Sequence, residues 1–211
     1  MRKEVRIMTI FGESPIDATE LVKELIARVR PQVTPQSSDL EWARAVKQSL
    51  RLLGSEHGKR VAPNAIDEQA EFMLDLIWWR DEDSNDIDLA AECDWGNKKA
   101  VEYDFGKLLS IKAPLKLMIY GPSAHEKRGL PIREGIEQHY MKRFSQHVAG
   151  EHYLLVEIAV SENLIFAYEA VISEHGSIQK PDFKQFLKLP FWSAGGGQLR
   201  AGRSATSGAR C

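Results

Sequence analysis

The chain has 211 residues, 43% of them hydrophobic and 27% charged, and a formal net charge of −2 at neutral pH. This is ordinary for a folded soluble domain with one good core, and it excludes a global basic field as the means of holding nucleic acid; such a partner would need a local patch. No run approaches the roughly 20 apolar residues of a membrane span, and the first residues lack the apolar region of a signal peptide, so a cytoplasmic protein without a membrane partner is expected.

Val5 to Phe11 reads as a short strand ahead of Gly12. A helix follows, with Leu21, Val22, Leu25, Ile26 and Val29 at helical spacing and Pro31 ending it. The polar stretch from Pro31 to Ser38 reads as a linker. Ser38 or Asp39 caps a second helix with Trp42, Ala45, Val46, Ser49, Leu50 and Leu53 on one face, which Gly54 and Gly58 are expected to stop. Two apolar runs come next, Phe72 to Trp79 and Leu89 to Cys93, joined by the acidic loop Arg80 to Asp86; they predict an antiparallel pair. That loop lacks the Gly and closing Glu of a calcium site.

Val101, Phe105, Leu108 and Leu109 then form a helical stripe, and Leu115 to Tyr120 a third strand. Strand, helix, strand is the crossover that makes two strands parallel. Pro131 to His147 reads as a helix with Ile132, Ile136, Tyr140, Phe144 and Val148 inside, followed by strands His152 to Val160 and Leu164 to Ile172. The order predicts an α/β sandwich with a mixed sheet flanked by helices. Residues 1–192 read as one domain with a core of about 39–172. Residues 193–211 are dominated by Gly, Ala, Ser and Arg and are expected to be disordered.

The chemistry centres on lone acids in apolar surroundings. Asp75 interrupts the first run and Glu92 the second. A buried ionised carboxylate costs several kcal/mol unless a cation, a metal or a set of donors compensates it. Alternation along a strand puts Asp88, Ala90, Glu92 and Asp94 on one face, and the right hairpin register lets Asp75 and Glu92 converge. Mg²⁺ takes such hard oxygen ligands, one or two carboxylates plus water and substrate phosphate.

The order of elements and acids resembles the PD-(D/E)xK, restriction-endonuclease-like nuclease superfamily over about Asp39 to Tyr120. Asp75 matches the Asp and Glu92 the Glu of that pattern. Glu92-Cys93-Asp94-Trp95-Gly96, Asp104-Phe105-Gly106-Lys107-Leu108-Leu109 and Lys112-Ala113-Pro114-Leu115-Lys116 look like uncharacterised bacterial proteins of this type. The resemblance implies a metal-dependent nuclease using Mg²⁺ or Mn²⁺, with Asp75, Glu92 and Asp94 as metal ligands and Asp75, Glu92 and Lys107 as catalytic residues. The position two beyond Glu92 is Asp94 where the pattern has lysine; some members carry the lysine on the following helix, where Lys107 comes first and Lys112 second. The first-helix acid of the pattern matches Glu41 or Asp39. A nucleic-acid partner and a homodimer are both compatible with the chain.

Other readings stand beside these. Asp75 could pair with a lysine such as Lys112 or Lys107 and need no metal; the face of Asp88, Glu92 and Asp94 could be solvated; Asp104 could serve the helix dipole. A non-catalytic, nuclease-like scaffold that binds protein or nucleic acid is the rival function. Trp78, Trp79 and Trp95 read as packing residues, and the six histidines show no zinc spacing. Cys93 and Cys211 make no disulfide framework. Lys112, Lys116, Lys127, Arg128 and Arg133 are the densest basic stretch and a candidate phosphate surface. Gly106 within a helical pattern hints at close approach of that helix to the sheet.

Overall fold

The computed structural model describes residues 16–63, 73–83, 85–121, 130–173 and 183–192. The expected strand at Val5 to Phe11 and the tail 193–211 lie outside them.

Helix α1 (Ala18–Val29) starts at Asp17, whose carboxylate accepts the Thr19 and Glu20 N–H groups, and buries Leu21, Val22, Leu25, Ile26 and Val29. Pro31 does not cut the chain off abruptly; a 3₁₀ turn (Arg30–Gln32) carries it on. Helix α2 (Asp39–Glu56) opens with a capping box, Ser38 accepting from the Glu41 N–H while the Glu41 side chain takes the Ser38 N–H. Gly54 does not stop α2. It sits inside the last turn because a Cβ there would lie 2.6 Å from the Trp78 Nε1, so its role is close packing.

A short strand that periodicity does not reveal follows, β1 (Arg60–Ala62). Next come β2 (Leu76–Trp79) and β3 (Ile87–Asp94), the antiparallel pair expected from the two apolar runs. The strand predicted from Phe72 begins only at Leu76, because Met73 sits in the left-handed region at φ 58° and turns the chain. Helix α3 (Lys98–Leu109), capped by Asn97, crosses to β4 (Leu115–Tyr120), which is parallel to β3. Helix α4 (Leu130–Gly135) runs into a π-helical turn (Ile136–Met141) and ends there, so Phe144 and Val148 lie beyond the helix expected to reach His147. Strand β5 (His152–Ala159) is parallel to β4, while β6 (Leu164–Val171) and β7 (Lys184–Pro190) add antiparallel neighbours.

The result is an α/β architecture around a seven-stranded mixed sheet in the order β1-β2-β3-β4-β5-β6-β7. Alternate side chains of each strand feed two cores. One lies under α1 and α2, with Trp42, Leu50, Leu76, Trp78, Leu117 and Val156; the other lies under α3 and α4, with Phe105, Ile132, Ile77, Ala90, Met118 and Tyr153. The parallel strand β4 is buried throughout, as a strand covered on both faces must be. Each fully buried Leu, Ile or Phe contributes about 1.5–3 kcal/mol relative to exposure. Among the described residues no helix is long and apolar enough to cross a membrane.

Candidate functional site

The site forms where β2 begins, between α2 on one face of the sheet and α3 on the other. Asp75 stands one residue before β2, not within it. With the chain turned by Met73, the Asp75 carboxylate replaces a backbone partner: its Oδ2 accepts the Cys93 N–H of β3 at 2.9 Å. Its Oδ1 lies 2.6 Å from the Nζ of Lys47, which reaches over from α2. This is the lysine that pairs with Asp75; the sequence reading proposed Lys107 or Lys112. Lys47 gave no signal in the sequence, being one cation among several on the polar flank of an amphipathic helix.

Glu92, on the α3 face of β3, is the deepest group, with 1% of its surface exposed. Lys107 of α3 places its Nζ 2.6 Å from Glu92 Oε1 and 2.9 Å from Asp104 Oδ1, and donates to the Met73 carbonyl at 3.1 Å. Lys107 is the one donor that reaches Glu92 among the described residues. Burial, then the charge of Asp75, push the Glu92 carboxyl up to about 9 against the pull of Lys107. At Lys107 burial acts to lower the ammonium, but the contacts with Glu92 and Asp104 outweigh it and raise it. Lys47 behaves the same way, its burial outweighed chiefly by Asp75.

Asp94 joins the cluster from the end of β3. Its Oδ1 accepts the Gly96 N–H at 2.6 Å, yet burial holds its carboxyl above the ordinary range, with Asp104 and Asp75 adding to the rise. Cys93 is a free, buried thiol pushed up by burial and by Asp75. Four carboxylates, Asp75, Glu92, Asp94 and Asp104, therefore share one region with two ammonium groups, and the acids outnumber the bases. No family model and no curated protein matches the chain.

Several sequence expectations fall differently. Glu41 is spent on the Ser38 cap, whose backbone N–H, then hydroxyl, lower its carboxyl, and Asp39 is exposed in the first turn. Lys112 is exposed beyond the end of α3. Asp104 is not in the first turn of α3; it lies past the middle and faces Lys107. The face of Asp88, Glu92 and Asp94 is not solvated: Asp88 is 3% exposed and held by Lys59 at 2.6 Å and Arg80 at 3.2 Å.

Two members of the basic stretch downstream, Lys116 and Arg133, are taken up by partners within the fold. Lys116 is buried against Glu151 at 2.7 Å and the Tyr153 hydroxyl at 3.0 Å, with His147 closing the network on Tyr153. Arg133 lies over the Tyr168 ring, and Lys127 and Arg128 fall outside the described residues. Trp78, Trp79 and Trp95 are buried, with Trp95 stacked on Trp42. Gly106 does allow a close approach, but to Tyr140 of the π turn and not to the sheet; a Cβ there would lie 3.1 Å from the ring. Among the described residues no three His, Cys, Asp or Glu side chains converge as a ready-made metal cage. Two carboxylates completed by water and a substrate phosphate remain open to Mg²⁺, which seldom uses an all-protein cage.

Proposed function

We propose that the chain is a metal-dependent phosphodiesterase acting on nucleic acid, with a restriction-endonuclease-like sandwich and a PD-(D/E)xK-type site whose lysine comes from α3. One observation carries this reading: the buried Glu92, reached by Lys107 alone among the described donors, beside Asp75 in a cluster where carboxyls outnumber ammonium groups. A buried carboxyl that holds its proton at neutral pH without metal could ionise beside a bound cation, and four carboxyls against two ammonium groups leave a place for one. The donor set is all hard oxygen, which fits Mg²⁺ or Mn²⁺, and Asp75 and Glu92 would hold the ion with Asp94 as the further ligand. When bound, the ion supplies a lowered pKa for a water and charge neutralisation on a phosphoryl oxygen.

The chain's own residues do the rest. Lys107 is anchored to the Met73 carbonyl at 3.1 Å, so its ammonium is held at the acids without depending on them alone. From there it can orient an attacking water by donating to it, the task of the missing lysine two beyond Glu92. A non-zero cost is stored in the left-handed Met73, about 1–3 kcal/mol for such a residue, and strain of this kind gathers at functional sites.

The rival scaffold reading rests on a specific observation too: each of the two central acids has a lysine at 2.6 Å. Thermal melts with Mg²⁺, Mn²⁺ and EDTA separate the two, together with nicking assays on single- and double-stranded DNA and RNA at low salt. Lys107→Ala should abolish cutting and keep metal-induced stabilisation, whereas Asp75→Ala should lose both. Metal stabilisation without cutting of any substrate favours the scaffold. Cutting that survives Asp75→Ala rejects the site.

A further inference from the structure

Lys107 has no hydrogen left to give as it stands. An ammonium has three N–H donors, and three oxygens lie within reach of the Lys107 Nζ: Glu92 Oε1 at 2.6 Å, Asp104 Oδ1 at 2.9 Å and the Met73 carbonyl at 3.1 Å. Orienting a water therefore requires one of the three to let go. They are held in different ways, and that difference decides which.

The Met73 carbonyl belongs to the backbone turn at φ 58° that sets Asp75 ahead of β2, so it cannot withdraw without rebuilding that turn. Asp104 lies three residues before Lys107 on α3, so donor and acceptor share a face and ride one helix. Among the described residues Asp104 pairs with no cation other than Lys107. Glu92 comes from a different element, β3, and of the three it alone belongs to the ligand set proposed above. Glu92 is the partner to be exchanged; Asp104 and Met73 are the two that stay.

We propose that Asp104 is the positioning residue of the site: it keeps the Lys107 ammonium in place when Glu92 turns to a cation, and the N–H that Glu92 gives up is the one that meets the water. This rests on the metal-dependent phosphodiesterase reading above and states how that site is armed. No covalent bond changes; one hydrogen bond is exchanged for another, and the ammonium keeps three partners throughout. Lacking Asp104, it would be left with the Met73 carbonyl alone, at the end of a flexible four-carbon stem. A misplacement of about 1 Å in a positioned group can cost about 100-fold in rate. Asparagine at this position keeps an accepting oxygen at the same reach and should serve, since the task is acceptance and not charge.

The test follows the Lys107 ammonium by proton–nitrogen NMR of the full chain carrying ¹⁵N-lysine, its signal identified by its loss in Lys107→Arg, alongside thermal melts in EDTA and in Mg²⁺. In wild type the signal should shift on adding Mg²⁺ and stay protected from exchange with water. Asp104→Ala should keep the signal in EDTA, where Glu92 still holds the ammonium, and lose it in Mg²⁺, while Mg²⁺-induced thermal stabilisation stays intact. Asp104→Asn should behave as wild type in both. On whichever DNA or RNA wild type nicks, Asp104→Ala should lower kcat by about 10- to 100-fold with KM unchanged, and Asp104→Asn should recover most of it. A purely structural Asp104 would instead lower the melting point in EDTA and leave the ammonium in Mg²⁺ as in wild type. That result overturns the proposal, and so does a Lys107 signal that Mg²⁺ leaves unmoved in a protein whose melting point it raises. A wild-type melt that Mg²⁺ does not change refutes the metal site, and this inference with it. Mg²⁺-stabilised wild type that shows the ammonium response but cuts no DNA or RNA supports the exchange at Lys107 and refutes the catalytic reading.

Discussion

Replacing Glu92 by glutamine should stabilise the metal-free protein at neutral pH, although it removes the acid that Lys107 faces at 2.6 Å. Glutamine keeps the volume and polarity of the side chain and cannot ionise. In the folded protein burial, then Asp75, push the Glu92 carboxyl up to about 9, against an ordinary 4.5. An acid whose folded pKa is raised holds its proton more tightly folded than unfolded. Its contribution is fully present below about pH 4.5 and is lost as the pH climbs toward about 9. At about 1.4 kcal/mol per pH unit, the wild type gives up about 3 kcal/mol between pH 4.5 and 7 through this group. The glutamine variant gives up none of it, and Lys107 keeps Asp104 at 2.9 Å and the Met73 carbonyl at 3.1 Å as partners. Urea unfolding in EDTA at pH 5 and pH 7 reads the effect. The two proteins should be nearly equal at pH 5, and the variant should be the more stable by about 2–3 kcal/mol at pH 7. A difference that does not change with pH would falsify the account of Glu92, and with it the charge argument for a cation at the site.

Lys47→Met should cost about 1–2 kcal/mol, because it strips the partly buried Asp75 of the ammonium at 2.6 Å while leaving the Cys93 N–H in place. An unchanged urea midpoint would mean that water replaces the lysine. Lys116→Met should cost about 3–5 kcal/mol by leaving Glu151 buried without its cation. The double variant with Glu151→Gln should recover much of that loss, and strictly additive losses in the cycle would contradict a coupled pair. Gly121→Ala should destabilise by about 1–3 kcal/mol, since its Cβ would lie 2.3 Å from the Trp95 indole, itself stacked on Trp42. Tryptophan fluorescence should shift with it, and a thermal midpoint equal to wild type would show that the ring has room to move.

The elements around the site are legible because their signals are strong and local. Two apolar runs with a short loop require the β2–β3 pair, the stripe Val101, Phe105, Leu108 and Leu109 requires α3, and Leu115 to Tyr120 has the continuous apolarity of a doubly covered strand. The lone acids stand out for the same reason. Elements without a full apolar face escape notice: β1 has three residues, and β7 is a half-exposed edge strand. The early end of α4 follows from a π turn, a backbone choice that no side-chain period records. Within the site, Lys107 is reached through the superfamily resemblance and not through periodicity. Lys47 is invisible because its pairing with Asp75 depends on how α2 lies across the sheet, a relation between segments far apart in the chain.

The two lysines approach the acids from opposite layers, Lys47 from α2 and Lys107 from α3. Each acid is thereby tied to a different helix, but the fold depends on the two unions unequally. Loss of Asp75 would take from the partly buried Lys47 the carboxylate at 2.6 Å, so these two positions should change together among relatives. Glu92 is under no such constraint, because Lys107 keeps Asp104 at 2.9 Å and the Met73 carbonyl at 3.1 Å. Relatives with glutamine in place of Glu92 and an unchanged Lys107 should therefore be tolerated, whereas a lysine at position 47 facing an apolar residue at 75 should be rare.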